Sequence, residues 1–278
     1  MIALVAGIIG TTWQARVARQ ERRRAEQRFE DVRKLANSLL FELHDSIRDL
    51  PGSTPARQLL VSRALEYLDR LGRDAGSGTD IRRELAAAYL KVGDVQGRPF
   101  TPNIGDTAGA LASYRKATAM YEAIGAADAR EPAERRELGT AYLRMSDILA
   151  STGKTAEALS FAKKGLALQQ SASNDPSAPA AARRDLAASH SRVGDLLSAT
   201  GNTNGALEER RTALALMEAV SATAPNAPDN LRQLGIAYQK LGNSLGNPNY
   251  PNVGDTGGAL KNLERGTAVF KQATAAYP

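Results

Sequence analysis

The chain has 278 residues, enough for two ordinary domains or for one extended array of small units. It has no cysteine, which excludes disulfides, thiolate metal sites and cysteine nucleophiles. The net charge of +6 is uneven: Arg16 to Lys34 hold eight basic and four acidic residues, so the basicity is local and nucleic-acid binding is not expected.

At the N-terminus Met1 to Gly10 is apolar, and Trp13 follows. The run is short of the roughly 20 residues that span a bilayer, and it lacks the basic start of a secretory signal. It reads either as the end of a transmembrane helix, with Trp13 and Arg16 at the interface, or as the apolar start of a soluble helix. Arg19, Arg22, Arg23 and Arg24 follow directly and favour the first reading, hence membrane attachment. Residues 1–14 are then an apolar stub, and 15–78 a juxtamembrane unit of one long and one short helix. Phe29, Val32, Ala36, Leu39, Leu43, Ser46 or Ile47, and Leu50 step by threes and fours, a coiled-coil-like seam. Two outcomes are open. The seam packs on Leu59, Leu60, Ala64, Tyr67, Leu68 and Leu71 of the short helix, or residues 25–50 pair two chains as a homodimer. Pro51-Gly52 marks the turn, and Thr54-Pro55 starts the short helix.

From residue 79 a pattern recurs four times. Leu85, Leu138, Leu186 and Leu234 anchor one phrase, and Leu111, Leu159, Leu207 and Leu260 a second. The unit is 48 residues (Leu138 to Leu186 to Leu234), with five more between the two phrases of the first and fourth copies. Such a period means stacked copies of one helical module. Leu138, Tyr142, Met145 and Leu149 recur at helical spacing, and Leu159, Ala162, Leu166 and Gln169 do so more weakly. Four helix pairs are expected, at 79–125, 131–174, 179–222 and 228–276. Gly93, Gly194 and Gly242, with Ser146 in the second copy, fall mid-helix, where glycine costs about 1 kcal/mol against alanine; a close neighbouring helix would explain them. The longer connections, Arg98 to Thr107 and Asn247 to Thr256, each carry two prolines and an aromatic, the composition of a loop of fixed shape. Asp106 and Asp255 look like helix caps, and the middle copies turn around Gly153 and Gly201.

Little in the sequence points to chemistry. His190 occupies the place of Tyr89, Tyr142 and Tyr238 in the other copies, which makes it a packing or surface variant. No residues have metal-ligand spacing, no cofactor is implied, and no acid–base pair stands out. Gly153-Lys154-Thr155 has the ending of a phosphate loop, but Ile148 stands where that loop needs glycine.

One recurring feature could hold a partner. Arg83, Arg136, Arg184 and Arg232 stand two residues before each first anchor, and Lys91, Arg144, Arg192 and Lys240 six after it. Stacked copies would align them as two basic rows with Tyr89, Tyr142 and Tyr238 between, a surface suited to an acidic peptide. The rival reading is structural: Asp94, Asp147 and Asp195 lie three residues after the second row and could pair with it within the same helix.

The Leu-Gly-x-Ala-Tyr phrase (Leu138 to Tyr142, Leu234 to Tyr238), followed by Ala-Leu in the second helix, resembles tetratricopeptide repeats. The usual unit is about 34 residues, so this would be a longer-helix variant. A narrower likeness lies in Trp13 to Arg16, Phe29 to Asn37, Phe41 to Asp45, Asp49 to Arg57 and Gly105 to Leu111. These segments are similar to the region beyond the kinase domain in bacterial membrane-anchored serine/threonine protein kinases with tetratricopeptide repeats. The resemblance implies a receptor layout of kinase, spanning helix and repeat array; no position here matches a kinase catalytic residue.

The expectation is an all-α, tetratricopeptide-like right-handed superhelix, an α-solenoid of long hairpins behind a long N-terminal helix. Its function would be a non-catalytic protein-binding module, the membrane-associated sensor or scaffold region of such a kinase. The alternatives are a fragment of the kinase enzyme itself and a free-standing soluble adaptor that dimerises through its N-terminal helix.

Overall fold

The computed structural model describes residues 46–47, 50–74, 79–124, 131–175 and 178–276. The apolar stub and the seam from Phe29 to Leu43 lie outside them. Among the described residues there are nine helices and no strand. They are α1 (Thr54–Asp74), α2 (Thr79–Gly97), α3 (Thr107–Ala123), α4 (Pro132–Ser151), α5 (Thr155–Ser173), α6 (Ala180–Ala199), α7 (Thr203–Thr223), α8 (Pro228–Gly246) and α9 (Thr256–Ala275). None of them is long and apolar enough to cross a membrane.

The chain divides into two compact units, Met1–Glu66 and Tyr67–Pro278, with the boundary inside α1. Pro51-Gly52 turns the chain into α1, with Gly52 at φ +76° and Ser53 N–H donating to the Leu50 carbonyl at 3.2 Å. The buried stripe of α1 runs Arg57, Val61, Ala64, Leu68, Leu71. Leu59 was expected on that stripe, but it stands two residues before Val61 and is 59% exposed, on the opposite side of the helix.

In the second unit α2 packs on α3, α4 on α5, α6 on α7 and α8 on α9. The second helix of each pair then packs on the first helix of the next, as α3 does on α4 and α5 on α6. This nearest-neighbour stacking is an all-α solenoid.

Leu85, Leu138, Leu186 and Leu234 are all buried. The second anchors behave differently. Leu207 is buried, Leu111 and Leu159 are half-buried, and Leu260 is 60% exposed. The constant buried residue is the alanine before each: Ala110, Ala158, Ala206 and Ala259. The buried side of α5 is therefore Ala158, Ala162, Gly165, Gln169 and Ala172, not a leucine face. The paired helices come too close for larger side chains there: a Cβ on Gly165 would lie 2.9 Å from the Gly139 carbonyl oxygen.

The mid-helix glycines have the same cause. A Cβ on Gly93 would meet the Tyr114 ring at 2.4 Å, one on Gly242 would meet Leu263 at 2.8 Å, and one on Gly194 would meet Arg210 at 3.2 Å. In the second copy Ser146 replaces glycine, and the residue at the place of Tyr114, Arg210 and Leu263 is Ala162.

Both long connections are built alike. The Asn103 side chain donates to the carbonyls of Arg98 and Thr101, at 2.9 Å each, and accepts from the Gly105 N–H at 2.8 Å. The Asn252 side chain donates to Asn247 and Tyr250, at 3.0 and 2.9 Å, and accepts from Gly254 at 2.9 Å. Asp106, Asn202 and Asp255 cap α3, α7 and α9 by accepting from Gly109, Gly205 and Gly258.

Candidate partner-binding surface

The first helix of each pair carries both basic rows, and the structure sets most of their members against carboxylates of a neighbouring copy. Arg83 bonds Asp80 at 2.8 Å and, through Nε at 3.1 Å, Glu134 on α4. Arg136 bonds Asp185 on α6. Among the described residues Arg184 meets no carboxylate; its hydrogen bond is a long one, 3.5 Å, to the Asn230 amide oxygen on α8. Arg232 is exposed, with no ion-pair partner among the described residues.

The second row pairs backwards along the stack. Arg144 meets Asp94 at 3.0 Å, Arg192 meets Asp147 at 2.6 Å, and Lys240 meets Asp195 at 2.6 Å. Lys91 is exposed. The aspartates were expected to pair within their own helix. They instead pair between copies, because the basic residue of the next copy reaches over the junction. The second helix contributes too: the Tyr114 hydroxyl donates to Asp94 at 2.7 Å, and Arg210 meets Asp195 at 3.3 Å.

The tyrosines face into the stack. Tyr89 and Tyr238 are buried and Tyr142 is half-buried. Tyr89 donates to Asp69, Tyr142 to Glu122, and Tyr238 to Glu218 at 2.5 Å. The carboxylate lies 20 residues earlier in each case. In the third copy that position is Gln170, and His190 turns to Glu209 on α7, with Nδ1 at 2.6 Å.

Burial, reinforced by the adjacent carboxylates, pushes the Tyr89, Tyr114 and Tyr238 hydroxyls above the ordinary tyrosine range, so they remain donors. Burial would raise the Asp69 carboxyl, but hydrogen bonds from Lys116 and Tyr89 outweigh it and hold the group below its usual value. Asp147 goes the other way. Burial raises it, and the charges of Arg192, Arg144 and Arg98 do not offset that fully. Arg192 approaches Asp147 Oδ1 without hydrogen-bond geometry.

The first helices touch between α2 and α4 and between α4 and α6. Beside the α6–α8 junction, which the Arg184–Asn230 and Lys240–Asp195 bonds cross, lies a cleft of about 360 Å³. Arg184, Asp185, Ser191, Arg192, Asp195, Gln233 and Lys240 form its polar wall, three cations against two carboxylates, with Ala188, Met217 and Ile236 among its apolar residues. Of the residues singled out by the repeat pattern, it gathers Arg184, Arg192 and Lys240. The signal that sets Arg184 apart lies in the fourth copy. Where Glu134 and Asp185 receive the arginines before it, the corresponding positions hold the amides Asn230 and Gln233. Among the described residues no cluster of histidine or carboxylate side chains has a metal-binding arrangement.

No protein-family model matches the chain, and no curated protein matches it in sequence. Solved structures do match in fold. One is BtubC (BKLC) from P. vanneervenii, with a TM-score of 0.59 and 18% identity over 90% of this chain and 89% of that one. Another is a single-substitution form of the Podosopora anserina putative kinesin light chain nearly identical TPR-like repeats, with a TM-score of 0.51 and 16% identity over 86% of this chain and 97% of that one. The fold is thus that of a tetratricopeptide-like solenoid.

Proposed function

We propose that the chain is a non-catalytic scaffold that holds an acidic segment of a protein partner in the cleft between α6 and α8. The observation that carries this reading is Arg184. It lines a cleft of ligand-binding size, and it is the arginine of its row that meets an amide where Arg83 and Arg136 meet carboxylates. Arg192 and Lys240 are held in place beside it by Asp147 and Asp195. A carboxylate entering the cleft would complete the pattern already present at the earlier junctions.

The test is titration of the full chain with a fluorescent glutamate-rich peptide and with its glutamine counterpart. Arg184→Ala should weaken the acidic peptide about tenfold, since a hydrogen bond to a charged group is worth about 1.5–3 kcal/mol. Equal binding of both peptides, or indifference to Arg184→Ala, would overturn the reading.

The N-terminal likeness supports a wider setting for this scaffold: the sensor or scaffold region of a membrane-anchored bacterial serine/threonine kinase. An in-frame kinase and apolar segment upstream of Met1 would support that setting, and a stop codon there would favour a free-standing adaptor. Sedimentation of the chain with and without residues 1–50 tests the homodimer; an unchanged mass would remove it.

A further inference from the structure

We propose that the open face formed by α8 and α9 docks a partner helix that carries two carboxylates eight residues apart, with apolar residues between them.

The interior junctions define what that face consists of. At the junction of the third and fourth copies, α6 presents Arg184 to Asn230, and Ser191 and Asp195 to Lys240. α7 presents Glu218 to Tyr238, and its Leu207 is 6% exposed. The equivalent positions on the fourth copy are Arg232, Gln239, Asn243, Lys271 and Leu260. Leu260 is 60% exposed, with none of the described helices packed over it. Arg232 and Lys271 have no ion-pair partner among the described residues.

The charge on this face is inverted. Asp94, Asp147 and Asp195 give way to Asn243, and Glu122 and Glu218 to Lys271. The junction set on this face therefore holds two cations and no carboxylate. Glu264, the acidic residue of α9, stands at the exposed position of Arg115, Lys163 and Arg211, outside that set. A helix with the usual tyrosine and basic residue would meet Lys271 and Asn243 in place of its two acceptors. The occupant that fits is one of opposite pattern. In the interior, the residues that meet the arginine and the glutamate are Asn230 and Tyr238, eight apart on one helix. Carboxylates at that spacing would meet Arg232 and Lys271, and an apolar side chain between them would cover Leu260.

The probe is a stapled helical peptide with glutamate at both positions and leucines between, titrated into the full chain by fluorescence anisotropy. Its double-glutamine counterpart should bind at least tenfold more weakly. The variant Arg232→Glu with Lys271→Glu, both at exposed positions, should lose the glutamate peptide and gain one with lysine at the same two places. Arg184→Ala should leave this binding unchanged, which separates it from the cleft. No saturable binding, or binding that survives the charge reversal, would overturn the proposal and leave this face to solvent. Concentration-dependent self-association abolished by Leu260→Asp would also overturn it, by making a second copy the occupant.

Discussion

At Gly93, Gly194 and Gly242 the missing side chain is the feature that lets the second helix bring a large residue inward: Tyr114, Arg210 and Leu263. Gly93→Ala gains helix propensity of about 1 kcal/mol, but its Cβ would lie 2.4 Å from a buried ring. Overpacking costs about 1–3 kcal/mol, and the ring is tied to Asp94, so a net loss is expected in urea unfolding. Ser146 is the reverse case. It is fully buried, its hydroxyl has no partner, and its neighbour is small. Ser146→Ala should be neutral or stabilising by up to about 1 kcal/mol in the same assay. Asp147 predicts a pH effect. Its carboxyl is raised above 3.8, so between that value and the raised one the native state keeps a proton that the unfolded chain has released. Its contribution to stability therefore falls as pH rises through this window. Asp147→Asn should be less stable overall, because Arg192 loses its partner, and its stability should lack Asp147's share of that decline with pH.

The helices differ in how they begin. Asp106, Asn202 and Asp255 cap α3, α7 and α9, but α5 starts after Lys154, whose side chain cannot accept a bond. Lys154→Asp should raise the melting temperature, with a gain of about 1 kcal/mol; no change in a thermal melt would show that the backbone there is not cap-like. The caps at Asp106 and Asp255 and the turns at Gly153 and Gly201 were readable from residue type, because each depends on local backbone geometry; the Asn202 cap was not read. The pairing of the basic rows was not. Spacing along one helix identifies neighbours three and four residues away, whereas Arg144 and Asp94 meet across a junction. The buried side of the second helices was hidden for a related reason: leucine suggests a core residue, yet close packing selects Ala110, Ala158, Ala206 and Ala259 for that side.

Across the array, stability is a sum over copies and junctions. Leu138 is 2% exposed between α4 and its neighbours, and Leu138→Ala should cost about 2–5 kcal/mol in chemical denaturation. The last helix is held least, since α9 buries only Ala259 and Gly266. Its amides should exchange with solvent faster than those of α4 to α7 in native-state hydrogen exchange. The solenoid itself was legible, because the 48-residue period shows in a few anchors that recur in every copy. The cleft was not. It depends on Asn230 and Gln233, whose meaning appears only once the junction is seen.

The matched sizes at Gly93 and Tyr114, Ser146 and Ala162, Gly194 and Arg210, and Gly242 and Leu263 make each hairpin a lock with its own key. Copies of the repeat can then not be shuffled half by half. A chimaera that grafts the leading helix of the second copy onto the trailing helix of the first would drive the serine into the tyrosine ring, whereas exchange of whole hairpins would keep every key in its lock.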